Sequence, residues 1–149
     1  MNFAKAIEAV LRADATLTAL LSTHGGNPAI FPRLPVPSGF DHKVAPGVFI
    51  ALEGNSAADP DGEYFFARGV SAEIQVVGYC RAYNKRTSTI EDVAERVRYV
   101  LHRTPFEITV NGETWRSFNV TASGPIITPT DSTLDGRLVT VTAKFEKDN

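Results

Sequence analysis

The feature that most constrains the fold is an amphipathic helix predicted between Ser88 and His102. At about 100° per residue, the apolar side chains fall within an arc of roughly 120°, and the charged side chains lie outside that arc. The apolar positions are Ile90, Val93, Ala94, Val97, Val100 and Leu101. A helix with one apolar stripe has to lie on an apolar surface. The preceding segment predicts that surface, because apolar residues alternate with mostly polar ones from Val70 to Tyr79, as in a strand with one buried face.

Local signals mark the ends of this helix. Ser88 and Glu91 have the spacing of a capping box, in which Ser88 is the N-cap residue. Asp92 precedes Arg96 by four residues, which is the favourable order for an ion pair along a helix. Pro105 cannot continue a helix and is expected to end it.

The N-terminal segment from Asn2 to Leu21 has a helical pattern that slips at Asp14. Asp14 would fall on the apolar face of one continuous helix, so we interpret it as the N-cap of a second, short helix. The second helix is expected to bury Leu17, Leu20 and Leu21. The stretch that follows is rich in proline and is predicted to be a surface excursion.

A β-hairpin is predicted where Asn111-Gly112 separates two short strands, because both turn residues tolerate a positive φ. A two-residue turn places Ile108 opposite Trp115, Thr109 opposite Thr114 and Glu107 opposite Arg116. Further strands are predicted at Val48–Leu52, Phe118–Ala122 and Val139–Phe145, the last two separated by a polar connector from Thr128 to Gly136. The pattern predicts one α+β domain over residues 1–149, with a mainly antiparallel sheet and two helical segments packed on one face.

Composition excludes several classes of protein. The chain has 43% hydrophobic and 21% charged residues with a formal charge of −2, which indicates neither a nucleic-acid binder nor a disordered acidic chain. The single cysteine, Cys80, excludes an internal disulfide and a cysteine-based zinc cluster. Since neither a membrane-spanning apolar run nor a signal-peptide pattern is found, the expectation is a cytosolic chain without membrane contact.

No residues have the spacing of a catalytic or metal-binding motif. The histidines, in unrelated segments, are His24, His42 and His102. Asp59, Asp61 and Glu63 alternate as at the start of a calcium loop, but the remaining ligand positions are missing. Cys80 has no histidine near it in sequence and is interpreted as a small buried residue at a strand end. We therefore predict no enzymatic activity, no cofactor and no metal, although an enzyme could assemble a site from scattered residues.

A basic segment connects the central strand to the central helix. Its cations are Arg81, Lys85 and Arg86, with Tyr83 among them. The segment is either an ordinary polar loop or a contact with DNA phosphates or an acidic partner. The polar loop is the simpler interpretation, because three cations make only a weak non-specific phosphate site.

The order of the predicted segments is more specific to one family than any single motif in the chain. The stretches concerned are Leu11–Leu21, Ile30–Pro32 before a proline-rich loop, Val48–Ile50, Ala72–Val76, Ile90–Val97 and Asp135–Arg137. In this order they resemble the tail completion, or tail terminator, proteins of long-tailed bacteriophages and prophages, also called tail-to-head joining proteins. The resemblance runs from the first helix to the last strand. The family often has a Trp near the end of the central strand, where this chain has Gly78-Tyr79.

The resemblance implies a structural virion protein and not an enzyme. Proteins of this family form a ring, typically of six copies, that caps the head-proximal end of the tail tube, stops its growth and joins tail to head. The implied partners are further copies of the chain, the tail tube protein and a head or neck connector protein, while DNA passes through without specific binding. The implied location is the head-proximal end of the tail in the virion, after assembly in the host cytoplasm. The alternatives are a neck or head-completion connector and, from another class, a cytosolic ligand-binding or enzymatic domain.

Three surface hypotheses follow for such a ring. Tyr99 lies on the polar face of the predicted helix, and because tyrosine is enriched at interfaces, we expect it to contact a neighbouring subunit. The acidic loop with Asp59, Asp61 and Glu63 is expected to face the channel or an open ring face, because a basic lumen would retain DNA. The basic loop with Arg81, Lys85 and Arg86 is expected to steer docking to a protein partner.

Overall fold

The computed structural model describes residues 3–32, 36–41, 43, 46–57, 67–79, 86–128 and 134–147. The helices are α1 (Phe3–Ala13), α2 (Ala15–Thr18) and α3 (Arg86–Leu101). The strands are β1 (Thr23–His24), β2 (Asn27–Pro28), β3 (Ile30–Phe31), β4 (Val48–Ala57), β5 (Ala67–Tyr79), β6 (Glu107–Val110), β7 (Glu113–Thr128) and β8 (Leu134–Lys147).

Six of these strands form one sheet in the order β3-β4-β5-β8-β7-β6. All neighbouring pairs are antiparallel except β3 and β4, which run parallel. The short strands β1 and β2 form a separate two-stranded sheet. The predicted α+β class with a mainly antiparallel sheet is confirmed.

One face of the sheet carries the main core under the helices. α1 contributes Phe3, Ile7 and Leu11, all fully buried. The predicted apolar stripe of α3 is confirmed for its fully buried members, which are Ile90, Val93, Ala94, Val97 and Leu101. The ring of Phe3 lies edge-on to those of Phe106 and Phe145, with centroids 5.1 and 5.5 Å away. Residues near both ends of the chain therefore close the same core.

The predicted hairpin is confirmed in turn and register. Asn111 and Gly112 have φ angles of 51° and 77°, and the three predicted cross-strand pairs are present. The charged pair is also in contact, since Arg116 Nε lies 3.2 Å from Glu107 Oε2. Local turn chemistry determined this element, because the side-chain pairs follow once the turn length is known.

The predicted details of the α3 N-terminus and of its ion pair are wrong. α3 begins at Arg86, so Ser88 lies within the first turn and is not the N-cap residue. Glu91 contacts the guanidinium of Arg137 on β8. Arg96 pairs with Asp14 and not with Asp92. In each case a partly buried charge takes a partner from another element, which local spacing does not encode.

The opposite face of the sheet carries a second, aromatic cluster. Phe31, Phe40 and Phe49 are buried there, with ring centroids 5.0 to 6.0 Å apart. His24 lies edge-on to Phe31 and Phe40 at 5.8 Å. The prediction that the whole proline-rich stretch is a surface excursion is therefore wrong for Phe40, which covers the sheet.

The hairpin formed by β7 and β8 is longer than predicted. β7 continues through Gly124-Pro125 to Thr128, and β8 begins at Leu134 within the predicted connector. The register shifts between Ser117 and Asn119 and again between Ser123 and Ile126. Gly124, at the second shift, has a φ of 100°, and a Cβ there would lie 2.6 Å from the carbonyl oxygen of Leu138. Only glycine fits at this position. The bulge therefore accommodates Gly124-Pro125 within β7, and the strand continues beyond it.

Candidate functional site

Tyr99 lies on the side of α3 that faces away from the core. Its side chain is 71% exposed, although the buried stripe of the same helix is complete. Singly exposed aromatic residues are common on protein surfaces, but tyrosine is a favoured residue at protein interfaces. The observed position agrees with its expected place on the polar face of the helix.

A bidentate ion pair holds the surroundings of Tyr99 in place. Arg96 Nε donates to Asp14 Oδ2 at 2.7 Å, and Arg96 Nη2 donates to Asp14 Oδ1 at 3.0 Å. The guanidinium carbon of Arg96 lies 5.0 Å from the centroid of the Tyr99 ring. Because the fork of the guanidinium is fixed by two hydrogen bonds, the ring of Tyr99 packs on a surface of defined orientation.

The same contacts change the acidity of Asp14. The hydrogen bond from Arg96 lowers the pKa of the Asp14 carboxyl below its ordinary value, against a smaller raising effect of burial. The predicted N-cap position of Asp14 is confirmed by its extended backbone, with φ −88° and ψ 104°. Its carboxylate makes no hydrogen bond of full cap geometry, but the backbone N–H groups of Thr16 and Leu17 lie close enough to lower its pKa further. Asp14 thus acts through its side chain as an anchor for α3.

A second charged contact fixes the start of β8. Arg137 is buried, and its guanidinium contacts the carboxylates of Glu91 on α3 and Asp135 on β8, the latter at 2.7 Å. Burial tends to lower the pKa of Arg137, but the hydrogen bonds to Glu91 and Asp135 outweigh it and raise the pKa overall. The Asp135-Gly136-Arg137 stretch therefore joins the hairpin to the helix layer.

Three exposed apolar side chains lie along β7. Phe118 is 55% exposed, Ile126 is 58% exposed and Ile127 is 74% exposed. Successive residues of a strand point to opposite faces, so Ile126 and Ile127 place apolar groups on both faces of the hairpin. None of the three is among the surface residues predicted from sequence. The available signal was the adjacent pair of isoleucines, because no strand with one solvated face can bury both.

A groove of about 540 Å³ adjoins Phe118. It lies between residues 102–105, which follow α3, and residues 117–121 of β7. The backbone N–H of Arg103 donates to the carbonyl of Val120 at 3.1 Å, and the N–H of Ala122 donates to His102 Nδ1 at 3.2 Å. The turn after α3 therefore covers the strand edge at Val120 and Ala122, while the side chain of Phe118 stays open to solvent.

The two histidines among the described residues do not lie together. His24 lies in the aromatic cluster, whereas His102 accepts a hydrogen bond from Ala122 at the edge of β7. His42 and Cys80 lie outside the described residues. Within the described ranges, no group of three or more His, Cys, Asp or Glu side chains is arranged to hold a metal ion. In the same ranges, no helix combines the length and the apolar character that crossing a membrane requires.

The two charged loops predicted from sequence lie almost entirely outside the described residues. Asp59, Asp61 and Glu63 lie outside the described residues, and so do Arg81 and Lys85. Arg86 is the first residue of α3, but its side chain is not among those described. Their expected positions in a ring remain predictions.

Comparison with solved structures gave a match over nearly the whole chain. A chain in the structure of the virion of a native gene transfer agent (GTA) particle superposes with a TM-score of 0.65. The match covers 96% of this chain and 93% of that chain, at 18% sequence identity. At this identity the likeness shows a shared fold. Neither a protein-family model nor a curated protein matched the sequence.

Proposed function

We propose that this chain is a structural virion protein that forms a ring at the head-proximal end of a tail tube, ends tube growth and joins tail to head. The observation that carries the proposal is the shared fold with a chain of a GTA virion, which includes almost all of both chains. The order of sequence segments that resembles tail terminator proteins supports the same role independently. The high coverage matters because the whole domain, and not a single motif, superposes on that chain.

The surface of the described residues supports assembly better than catalysis. Tyr99 is exposed on α3 beside Arg96, and Phe118, Ile126 and Ile127 are exposed on β7. These are two different surfaces on one chain, and a head-to-tail ring uses two different surfaces of each subunit. Tyr99 is proposed to contact the neighbouring subunit. A ring of this kind needs no cofactor and no catalytic group.

The charged loops complete the proposal. The acidic loop with Asp59, Asp61 and Glu63 is proposed to face the channel or an open ring face, where negative charge lets DNA pass without being retained. The basic loop with Arg81, Lys85 and Arg86 is proposed to steer the ring onto an acidic surface of the head or neck. The expected partners are therefore the tail tube protein on one side and a connector protein on the other.

Electron microscopy tests the proposal directly. The purified protein, alone or mixed with tail tubes, should form rings of about the tube diameter, and particles made without the protein should carry tails of uncontrolled length that do not join heads. Tails of normal length that fail to join would favour the neck or head-completion role instead. Particles that assemble normally without the protein would contradict both roles.

A further inference from the structure

Arg12 is an exposed residue near the C-terminal end of α1, and its guanidinium spans two backbone carbonyl groups of a neighbouring extended segment. Nη1 donates to the carbonyl oxygen of Pro28 at 3.2 Å, and Nη2 donates to that of Ile30 at 2.9 Å. Nε donates to Glu8 Oε1 at 3.1 Å. The guanidinium is therefore held in one orientation from both sides, by its own helix and by the extended segment.

The two carbonyl groups belong to the outer edge of the large sheet. β3 is the outermost strand on its side of that sheet. The carbonyl of Ala29 accepts from the N–H of Ile50 on β4 at 3.0 Å, so it points into the sheet. Backbone groups of successive strand residues point to opposite sides, and the carbonyls of Pro28 and Ile30 therefore point outward. Arg12 occupies the line along which another strand would pair.

This edge also lacks most of the backbone donors that an added strand requires. Pro28 has no backbone N–H, and Pro32, the next outward position after Ile30, has none either. Of the three outward positions 28, 30 and 32, Ile30 is the one with a donor. Proline and a charged side chain at an edge strand are devices by which natural sheets avoid pairing with another chain.

The opposite side of the sheet is closed by a comparable arrangement. β6 pairs with β7 only as far as Arg116. Further along β7, the carbonyl of Val120 accepts from the N–H of Arg103, and the N–H of Ala122 donates to His102 Nδ1. His102 and Arg103 directly follow α3. On both sides, therefore, a helix or the turn after it supplies the hydrogen bonds that an added strand would otherwise make.

We infer that Arg12 is an edge guard, which keeps β3 from taking up a strand of a second copy of the chain. The inference goes beyond the proposed function, because it concerns the free chain as well as a ring. The same hydrogen bonds also tie α1 to the segment before β4, which is a purely structural role. The two roles differ in one measurable respect, since only the loss of a guard makes association through β3 depend on protein concentration.

Arg12→Ala tests the inference in the full chain. The variant should keep its fold, because the buried side chains of α1 are unchanged, and it should form larger species than the wild type as the concentration rises. Sedimentation velocity across a dilution series measures the association, and circular dichroism checks the fold. Glu8→Gln is the matched control. It removes the neighbouring carboxylate but leaves both carbonyl contacts of Arg12, so it should sediment like the wild type.

Amide hydrogen exchange locates the added strand. The backbone N–H of Ile30 is the outward donor at this edge, so its exchange rate reports pairing there. In Arg12→Ala this exchange should slow by about tenfold as the protein concentration rises, because the amide gains a partner. In the wild type the exchange of the same amide should not depend on concentration.

Each outcome supports or overturns the edge guard. A folded Arg12→Ala that sediments like the wild type would overturn it, and so would larger species without slower exchange at Ile30. An unfolded Arg12→Ala would show that Arg12 is a structural tie and not a guard.

The wild-type chain gives an answer that does not depend on the variant. Slower exchange at Ile30 on ring formation, with Arg12 in place, would overturn the edge guard and leave the proposed ring standing. A wild-type chain that forms no rings with tail tubes, together with concentration-dependent exchange in Arg12→Ala, would contradict the proposed function and support the guard.

Discussion

Arg96 and Asp14 are 82 positions apart in the sequence, yet two hydrogen bonds of 2.7 and 3.0 Å join their side chains. The pair connects α3 to the start of α2 and sets the orientation of the guanidinium beneath Tyr99. A contact that stabilises the fold therefore also shapes an exposed surface. The two roles can be separated by experiment, because one depends on pH and the other on subunit concentration.

The Asp14 contact predicts a stability difference that depends on pH. The folded-state pKa of Asp14 is lowered, so the contribution is fully present above the unfolded-state pKa of about 3.9 and is lost as pH falls through the folded value. Asp14→Asn should therefore be less stable than the wild type at pH 7. The difference should shrink below about pH 4, since the unfolded chain then binds a proton at this carboxyl while the folded chain still holds it ionised. Urea unfolding between pH 7 and pH 3 measures it, and a difference that stays constant to pH 3 would refute the assignment.

Tyr99→Ala should weaken the ring without unfolding the chain. The side chain is mostly exposed, so its loss, including the contact with Arg96, should lower the free energy of unfolding by about 1 kcal/mol or less. Light scattering across a dilution series should show dissociation at a higher protein concentration than for the wild type. Glu95→Ala removes an exposed side chain of the same helix and is the matched control. Identical dilution curves for all three chains would show that Tyr99 lies outside the interface.

The close approach of Gly78 on β5 to Ile90 on α3 predicts that substitutions at these two positions are coupled. A Cβ at this position would lie 2.5 Å from both Cδ1 and Cγ1 of Ile90, which is too close for any packed pair. Gly78→Ala should therefore destabilise the fold by about 1–3 kcal/mol. In the Ile90→Ala background the same change should cost less, so that the two substitutions are not additive. Denaturant unfolding of the four chains gives the coupling, and simple additivity would contradict the close approach.

The basic loop predicts a kinetic effect at low salt. Changing Arg81, Lys85 and Arg86 together to Ala should slow the joining of tails to heads, because long-range attraction to an acidic partner is lost. Tail length should stay normal, since tube growth ends at a different surface. The rate of joining can be followed by counting complete particles at several salt concentrations. A defect that persists unchanged at high salt would exclude electrostatic steering.

Sequence was sufficient where the determining interactions are local. The Asn111-Gly112 turn fixes the pairing of Ile108 with Trp115 through backbone geometry alone, and the buried stripe of α3 follows from helical spacing. The mainly antiparallel sheet and its helical cover were predicted for the same reason. The slip at Asp14 also indicated correctly where α1 ends.

Sequence was insufficient where a side chain takes its partner from a distant element. Asp92 was the nearest candidate for Arg96 by spacing, but partial burial favours the carboxylate of Asp14, which spacing does not reveal. Phe40 was hidden in a proline-rich stretch, because its burial depends on a sheet face formed by other segments. Gly124-Pro125 predicts the end of a strand when only the local sequence is considered. The strand continues because a bulge accommodates both residues, and that bulge depends on the partner strand.

The position of β8 in the sheet determines the order in which the domain can form during synthesis. β8 lies between β5 and β7, although it is the last strand of the sheet in sequence. The β3-β4-β5 portion and the β7-β6 portion are therefore separate sheet fragments, with unprotected edges, until the ribosome has released residues up to Lys147. Such long-range closure is slow. Until β8 inserts, the open edges of β5 and β7 are the parts of the sheet most exposed to pairing with another copy, so the speed of this one step limits misassociation.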